Sequence, residues 1–139
     1  MAGLRYIIID DDKLNNKICS TLIVKLFSDA HVTAFTEAQA GFDFIKNEYG
    51  NSAITGSTTL FLDIKMPVMD EWGFLEVFEK LDDVIKKKIR IYILSSSIDK
   101  RDMERAQAHP DVEYYLIKPL TKESISLITH MQKKKEEKK

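Results

Sequence analysis

Cysteine is almost absent from this 139-residue chain, in which Cys19 stands alone. A lone cysteine excludes an internal disulfide framework and fits a reducing compartment. It falls in a helical apolar pattern, where a small buried hydrophobe is the expected role rather than a reactive thiol. Long hydrophobic runs are missing as well. No stretch is apolar enough to span a membrane, and Met1-Ala2-Gly3-Leu4-Arg5 leads straight into a strand without a signal-peptide pattern. Cytoplasmic localisation without membrane contact is therefore expected. Histidine is scarce: His31, His109 and His130 are isolated and read as surface residues, neither ligands nor phosphocarriers. An excess of charge of one sign is lacking too. The net charge is −1, and the terminal KKKEEKK at 133–139 contributes +3, so residues 1–132 carry about −4. A mildly acidic body gives no support for a nucleic-acid-binding face.

What is present describes one soluble globular domain. Hydrophobic residues make up 44% and charged residues 31% of the chain, and this length buries a core without staples. The domain is expected over residues 4–132, followed by a charged tail over 133–139 that reads as a solvated or frayed helix end.

Short buried-type runs alternate with helical periodicity. Arg5 to Ile9 is a β-branched strand ending at Asp10-Asp11-Asp12. Leu14, Ile18, Leu22 and Leu26, with Ile23 and Phe27, predict an amphipathic helix over about 13–28. His31 to Phe35 is a second strand, and Thr36 with Gln39 reads as a capping box for a helix to about Asn47. A polar loop containing Gly50 and Gly56 precedes Leu60-Phe61-Leu62-Asp63, a buried strand that Pro67 prevents from continuing. A helix from near Asp70 presents Phe74, Leu75, Phe78 and Leu81, and Trp72 belongs with this packing. Ile89 to Leu94 is a fourth strand ending in Ser95-Ser96-Ser97. Asp99 caps a very polar helix that stops at His109-Pro110. Val112 to Ile117 is a fifth strand ending at Lys118-Pro119, and Thr121 starts a last helix with Ile125, Ile128 and Met131 on its apolar face. Five such βα units predict an α/β fold: a flavodoxin-like (βα)5 doubly wound parallel sheet with strand order 2-1-3-4-5.

That order brings four strand ends together. They carry Asp10, Asp11 and Asp12, then Asp63, Ser95 and Lys118. Alone, Asp63 also reads as a loop aspartate near the start of the following helix. In company, either some of the carboxylates stay protonated or a cation sits among them, because at about 4 Å and an effective dielectric near 20 each pair costs about 4 kcal/mol. An all-oxygen set without nearby histidine or cysteine selects a hard ion, Mg²⁺ or Mn²⁺, over zinc. A metal on Asp11 and Asp63 makes the Asp63 carboxylate usable as a nucleophile toward a phosphoryl group. Lys118 offers a point charge and Ser95 a hydroxyl to that group's oxygens.

The segments IIIDDD at 7–12, LFLDIKMPVMD at 60–70, YILSSS at 92–97 and YYLIKPL at 114–120 resemble the receiver domain of two-component response regulators, from about Leu4 to Met131. The resemblance implies that Asp63 accepts a phosphoryl group from a sensor histidine kinase or a histidine phosphotransfer protein. It implies a metal set of Asp10, Asp11 and Asp63 with the backbone carbonyl of Lys65, Asp11 binding directly and Asp10 largely through water. Ser95 and Lys118 are the implied phosphoryl-oxygen partners, and Tyr115 the aromatic that changes rotamer with Ser95. Asp12 falls past the acidic pair and reads as a helix cap. The implied protein is a signalling switch, a monomer or weak dimer that catalyses its own phosphorylation and dephosphorylation. It would signal to a downstream protein target through the helix over 99–108, the fifth strand and the last helix, a surface expected to include Tyr92 and Tyr115. The sequence departs from the family where Met69-Asp70 is followed by Glu71-Trp72, with Gly73 two places late, and Ser95 stands where threonine is frequent. Lys65 and Ser97 occupy positions that tend to influence phosphoryl lifetime. Two rivals remain: a haloacid-dehalogenase-type phosphatase built on Asp10-x-Asp12, and a degenerate receiver that acts only by protein contact.

Overall fold

The computed structural model describes residues 4–50, 54, 57–63 and 71–137. Along the chain run β1 (Arg5–Ile9), α1 (Lys13–Leu26), β2 (His31–Phe35), α2 (Ala38–Tyr49), β3 (Thr58–Leu62) and α3 (Glu71–Glu79). There follow α4 (Asp83–Lys86), β4 (Ile89–Ser95), α5 (Lys100–Ala108), β5 (Val112–Ile117) and α6 (Lys122–Glu137). The strands form one five-stranded parallel sheet in the order β2-β1-β3-β4-β5, as expected for a doubly wound α/β fold.

Side-chain alternation divides the interior into two layers. Ile7, Ile9, Leu60, Leu62, Ile91 and Ile93 face the side covered by α2, α3, α4 and α5. Tyr6, Ile8, Phe61, Tyr92 and Leu94 face the side covered by α1 and α6. Every residue of β3 is buried, because the central strand is covered on both faces. Between Ile91 and Tyr92 the pairing with β5 shifts by one residue: Ile91 pairs with Val112, but Tyr92 pairs with Tyr114. Such a bulge inserts one residue and changes which neighbours share a face. It turns Tyr115, 4% exposed, into the layer beneath α5 and leaves Tyr114 38% exposed.

Helix ends follow their side chains in most places. Asp12 Oδ1 accepts from the Leu14 and Asn15 amides, which makes it the α1 cap, as anticipated. Asp99 Oδ1 accepts from the Arg101 amide, and Thr121 Oγ1 from the Ser124 amide. The expected capping box at α2 is not formed. Glu37 is the N-cap and makes no side-chain cap bond, while Gln39 donates forward to Asp43 instead, and the helix runs on to Tyr49.

The buried stripe of α1 also differs from the expected one. Leu14 is 66% and Ile18 48% exposed, while Asn16, Cys19 and Ile23 are buried. Asn16 Nδ2 donates to the carbonyls of Asp10 and Phe35, and these bonds pull its face of the helix inward at the expense of Leu14 and Ile18. Burial pushes the Cys19 thiol up to about 11, so it is neutral and sequestered at neutral pH, as its apolar pattern suggests. The one-turn helix α4 was not anticipated, since four residues carry too little periodicity to read; Ile85 is its buried residue. Tyr92, expected on the readout surface, is 1% exposed, and its hydroxyl accepts from Gln132 of α6. α6 itself continues through the first part of the charged tail to Glu137.

Close packing of α2 against β1 depends on Gly41. A Cβ there would lie 2.5 Å from Ile9 Cδ1 and 2.8 Å from Ile9 Cγ1, and Ile9 is fully enclosed. Gly41→Ala is therefore expected to destabilise the domain by about 1–3 kcal/mol, the usual cost of overpacking. Urea unfolding checks this, and an unchanged midpoint would show that α2 moves aside without cost.

Candidate phosphoacceptor site

The carboxyl ends of three central strands and one flanking strand are held in line by backbone bonds just past the strands. The Asp10 amide donates to the Phe35 carbonyl at 3.0 Å, the Asp63 amide to the Ile9 carbonyl at 2.9 Å, and the Lys118 amide to the Ser95 carbonyl at 2.8 Å. Each ladder is thus extended by one residue, and Asp10, Asp63, Ser95 and Lys118 lie at one edge of the sheet, where open α/β sheets place ligands. The Lys118–Pro119 peptide bond is cis.

Asp10 is 2% exposed and Asp63 8% exposed, while Asp11 faces solvent. One carboxylate oxygen from each of the three lies within 4.8 Å of the others. Lys118 Nζ sits 2.7 Å from Asp10 Oδ2 and 3.4 Å from Asp63 Oδ1. Burial disfavours the ammonium, but the hydrogen bond to Asp10 and the charges of Asp63 and Asp10 outweigh it, raising the Lys118 pKa above its ordinary 10.5. The ion pairs are therefore intact across the neutral range. On the alkaline side their contribution to stability is full up to pH 10.5 and is lost as pH rises through the higher folded value of Lys118.

Two asparagines that the motif reading passed over fix the geometry of Asp10. Asn15 Nδ2 donates to Asp10 Oδ2 at 2.8 Å, and Asn16 Nδ2 donates to the Asp10 carbonyl at 3.0 Å. The Asp12 amide takes Asp10 Oδ1 at 2.9 Å. Both oxygens of Asp10 are thus engaged by protein donors. The available signal was their position: the Asn15-Asn16 pair lies in the first helical turn after the acidic run, one turn from its carboxylates.

Ser95 is 2% exposed, and its Oγ accepts from the Ser97 amide at 3.0 Å. The Tyr115 hydroxyl donates to the Ser97 carbonyl at 2.8 Å, so the serine and the aromatic meet at one residue. The expected metal-binding carbonyl of Lys65 lies outside the described residues, as do Gly56, Pro67 and the Met69-Asp70 turn.

Three carboxylates and one ammonium leave two negative charges on this constellation among the described residues. The donors are all oxygen, two are preorganised by burial, and the exposed Asp11 leaves the solvent side to water. That set fits a hard divalent cation and is a poor match for zinc.

A family description, "response regulator receiver domain", matches residues 6–130. A solved response regulator receiver protein from Dyadobacter fermentans DSM 18053 is similar at 28% identity and a TM-score of 0.81, with 95% of this chain and 97% of that one covered. A two-component response regulator from Cytophaga hutchinsonii is similar at 27% identity and a TM-score of 0.80, with 94% and 97% covered. A CheY-like receiver domain from Methylobacillus flagellatus, at 15% identity and a TM-score of 0.74 over 94% of this chain and 98% of that one, shares the fold. A comparison with curated proteins gives no match.

The electrostatics generate a prediction. Lys118→Ala removes the ammonium that separates buried carboxylates, so the metal-free protein should lose about 2–3 kcal/mol. Mg²⁺ should then raise the melting temperature more in Lys118→Ala than in the unaltered protein. Equal Mg²⁺ shifts in the two proteins would rule out a shared electrostatic role.

Proposed function

The chain belongs to the response regulator receiver domain family, and on that premise we propose that it is a phosphoacceptor switch with Asp63 as the acceptor. The observation that carries this reading is the convergence of Asp63 with Asp10, Asp11 and Lys118 at one sheet edge. The donor is a phosphohistidine on a sensor histidine kinase or histidine phosphotransfer protein. A carboxylate oxygen of Asp63 bonds to phosphorus, the phosphorus–nitrogen bond breaks, and the electron pair returns to the imidazole, which takes up a proton. Asp10, Asp11 and Asp63, with the Lys65 carbonyl expected from the family resemblance, would hold Mg²⁺ or Mn²⁺. The bound ion supplies charge compensation between the carboxylate and the incoming phosphoryl oxygens. Lys118 leaves Asp10 for a phosphoryl oxygen, and Ser95 donates its hydroxyl to another.

The energies suffice for a switch. Phosphorylation adds about −1.5 to −2 charge at one carboxylate. Two charge-assisted hydrogen bonds, from Ser95 and Lys118, contribute about 3–6 kcal/mol. Moving an equilibrium from 1:99 to 99:1 takes about 5.5 kcal/mol. The two values overlap, so a substantial population shift is expected toward a form recognised by a downstream protein target. The readout face is α5, β5 and α6, with Tyr114, Ile117 and Leu127 as exposed large hydrophobic side chains and without Tyr92 and Tyr115, which were expected there but are buried in the two core layers. The protein works in the cytoplasm through residues 4–132, as a monomer or weak dimer without nucleic-acid or membrane contact. Among the described residues no helix is long and apolar enough to cross a membrane.

The phosphatase rival needs Asp12 free as its acid/base partner and gives Asp63 no role, whereas Asp12 caps α1 and Asp63 converges with Asp10 and Asp11. The contact-only rival makes no use of the buried Asp63–Lys118 pairing.

Intact mass after incubation with acetyl phosphate tests the reading. One phosphoryl group should be gained with Mg²⁺, none with chelator, and none on Asp63→Asn. Steady phosphate release that survives Asp63→Asn but not Asp10→Asn would overturn it in favour of a phosphatase. Lys118→Ala should still accept phosphate while losing most of the amide shifts over α5, β5 and α6. Shifts equal to those of the phosphorylated unaltered protein would remove Lys118 from the switch.

A further inference from the structure

Helix α5 is weakly embedded for an element at the centre of the readout face. Of its nine residues only Ala106 is buried, with Met103 partly so, and the others are charged, polar or exposed. A helix this short has little stability of its own and takes its position from its attachments. Two side-chain ties supply them beyond Ala106 and Met103. Asp102 Oδ2 accepts from Ser97 Oγ at 3.1 Å, and the Arg105 guanidinium lies over the Trp72 ring, 4.0 Å from its centroid.

One anchor adjoins Ser95, and the other lies on the helix that follows the Asp63 strand. Ser97 is two residues beyond Ser95; its amide donates to Ser95 Oγ, and its carbonyl accepts from the Tyr115 hydroxyl. Trp72 stands in the first turn of α3, the helix that follows the Asp63 strand. Asp102, Arg105 and Ala106 share one face of α5, at i, i+3 and i+4. A single helical stripe thus reaches the loop after the serine, the helix after the acceptor and the sheet between them.

We propose that Asp102 and Arg105 are positioning residues that clamp α5 in its resting place, and that phosphorylation at Asp63 frees α5 by drawing Ser95 and Ser97 away from Asp102. The proposal rests on the phosphoacceptor reading and adds to it the contacts through which the signal reaches the surface. Ser97 joins the parts. A movement of Ser95 that carries Ser97 with it displaces the hydroxyl that Asp102 holds and the carbonyl that Tyr115 holds. The Arg105–Trp72 stack keeps the far half of the helix attached, so α5 loosens from its amino-terminal end first.

Hydrogen exchange of the full chain, resolved for α5 with α6 as internal reference, tests this, alongside intact mass with acetyl phosphate and Mg²⁺. Without phosphodonor, Asp102→Ala should speed α5 exchange about tenfold, the loss expected for one charge-assisted hydrogen bond. Arg105→Ala should speed it less, and Asp102→Asn, which keeps an acceptor for the Ser97 hydroxyl, should stay near the unaltered protein. None of the three should change the phosphoryl mass gained. In the unaltered protein, phosphodonor with Mg²⁺ should loosen α5 toward the Asp102→Ala level. Unchanged α5 exchange in both alanine variants overturns the clamp, and so does a full phosphoryl adduct with no change in α5. If no adduct forms on the unaltered protein, the phosphoacceptor reading fails by itself, while the unphosphorylated variants still decide whether the ties hold the helix.

Discussion

The structure depends on keeping carboxylates together that repel one another. Asp10 and Asp63 are nearly enclosed, Asp11 stands beside them, and among the described residues Lys118 is the cation that reaches both buried members. Isolated charges in such a place would protonate or rearrange. Here Asp10 is pinned by Asn15 and the Asp12 amide, and the backbone bonds extending the strands fix where each aspartate emerges. The two packed layers of the sheet make that edge rigid. Among the described residues, a residual double negative charge on this scaffold fits a divalent cation.

Rigidity below and looseness above have separate origins in the chain. The central strands β1, β3 and β4, which end at Asp10, Asp63 and Ser95, are built largely of Ile, Leu, Phe and Tyr and are buried over most of their length. Helix α5 is polar almost throughout and relies on Ala106, part of Met103 and its two side-chain ties. A perturbation at the sheet edge therefore meets a core held by many buried side chains and a helix held by few. The bulge at Glu113 adds to this by turning Tyr115 inward beneath α5, within reach of the Ser97 carbonyl.

Much of this was legible in the sequence, and the rest was hidden for identifiable reasons. Buried parallel strands show up as short apolar runs, so Ile7–Ile9, Leu60–Leu62 and Ile89–Leu94 could be read, and the sheet order followed from their alternation with helices. The gathering of Asp10, Asp11, Asp63 and Lys118 followed from that order. The rotation of α1 was not legible, because Leu14 and Ile18 fit an apolar stripe better than Asn16 does. Only the carbonyls of Asp10 and Phe35, which come together through the fold, explain why an asparagine takes the inner face. Thr36 and Gln39 have the spacing of a capping box, but Gln39 finds Asp43 one turn on. Tyr92 gives no sign in sequence that Gln132, forty residues away, will cover its hydroxyl.

The same distinction bears on how a switch is built into a domain of this size. Residues that create the chemistry must be held by many contacts, and Asp10 has three donors on its two oxygens. One of these, Lys118, is the donor whose departure Asp10 would best tolerate, because Asn15 and the Asp12 amide would remain on it. Removing a partner from a buried carboxylate normally carries the full penalty of an unsatisfied charge. The redundancy at Asp10 lowers that penalty, so the lysine can exchange one anion for another without the site coming apart. A pocket with one donor per carboxylate oxygen would be as stable at rest but would resist the transfer. The extra asparagine is what lets the ion pair be both strong and exchangeable.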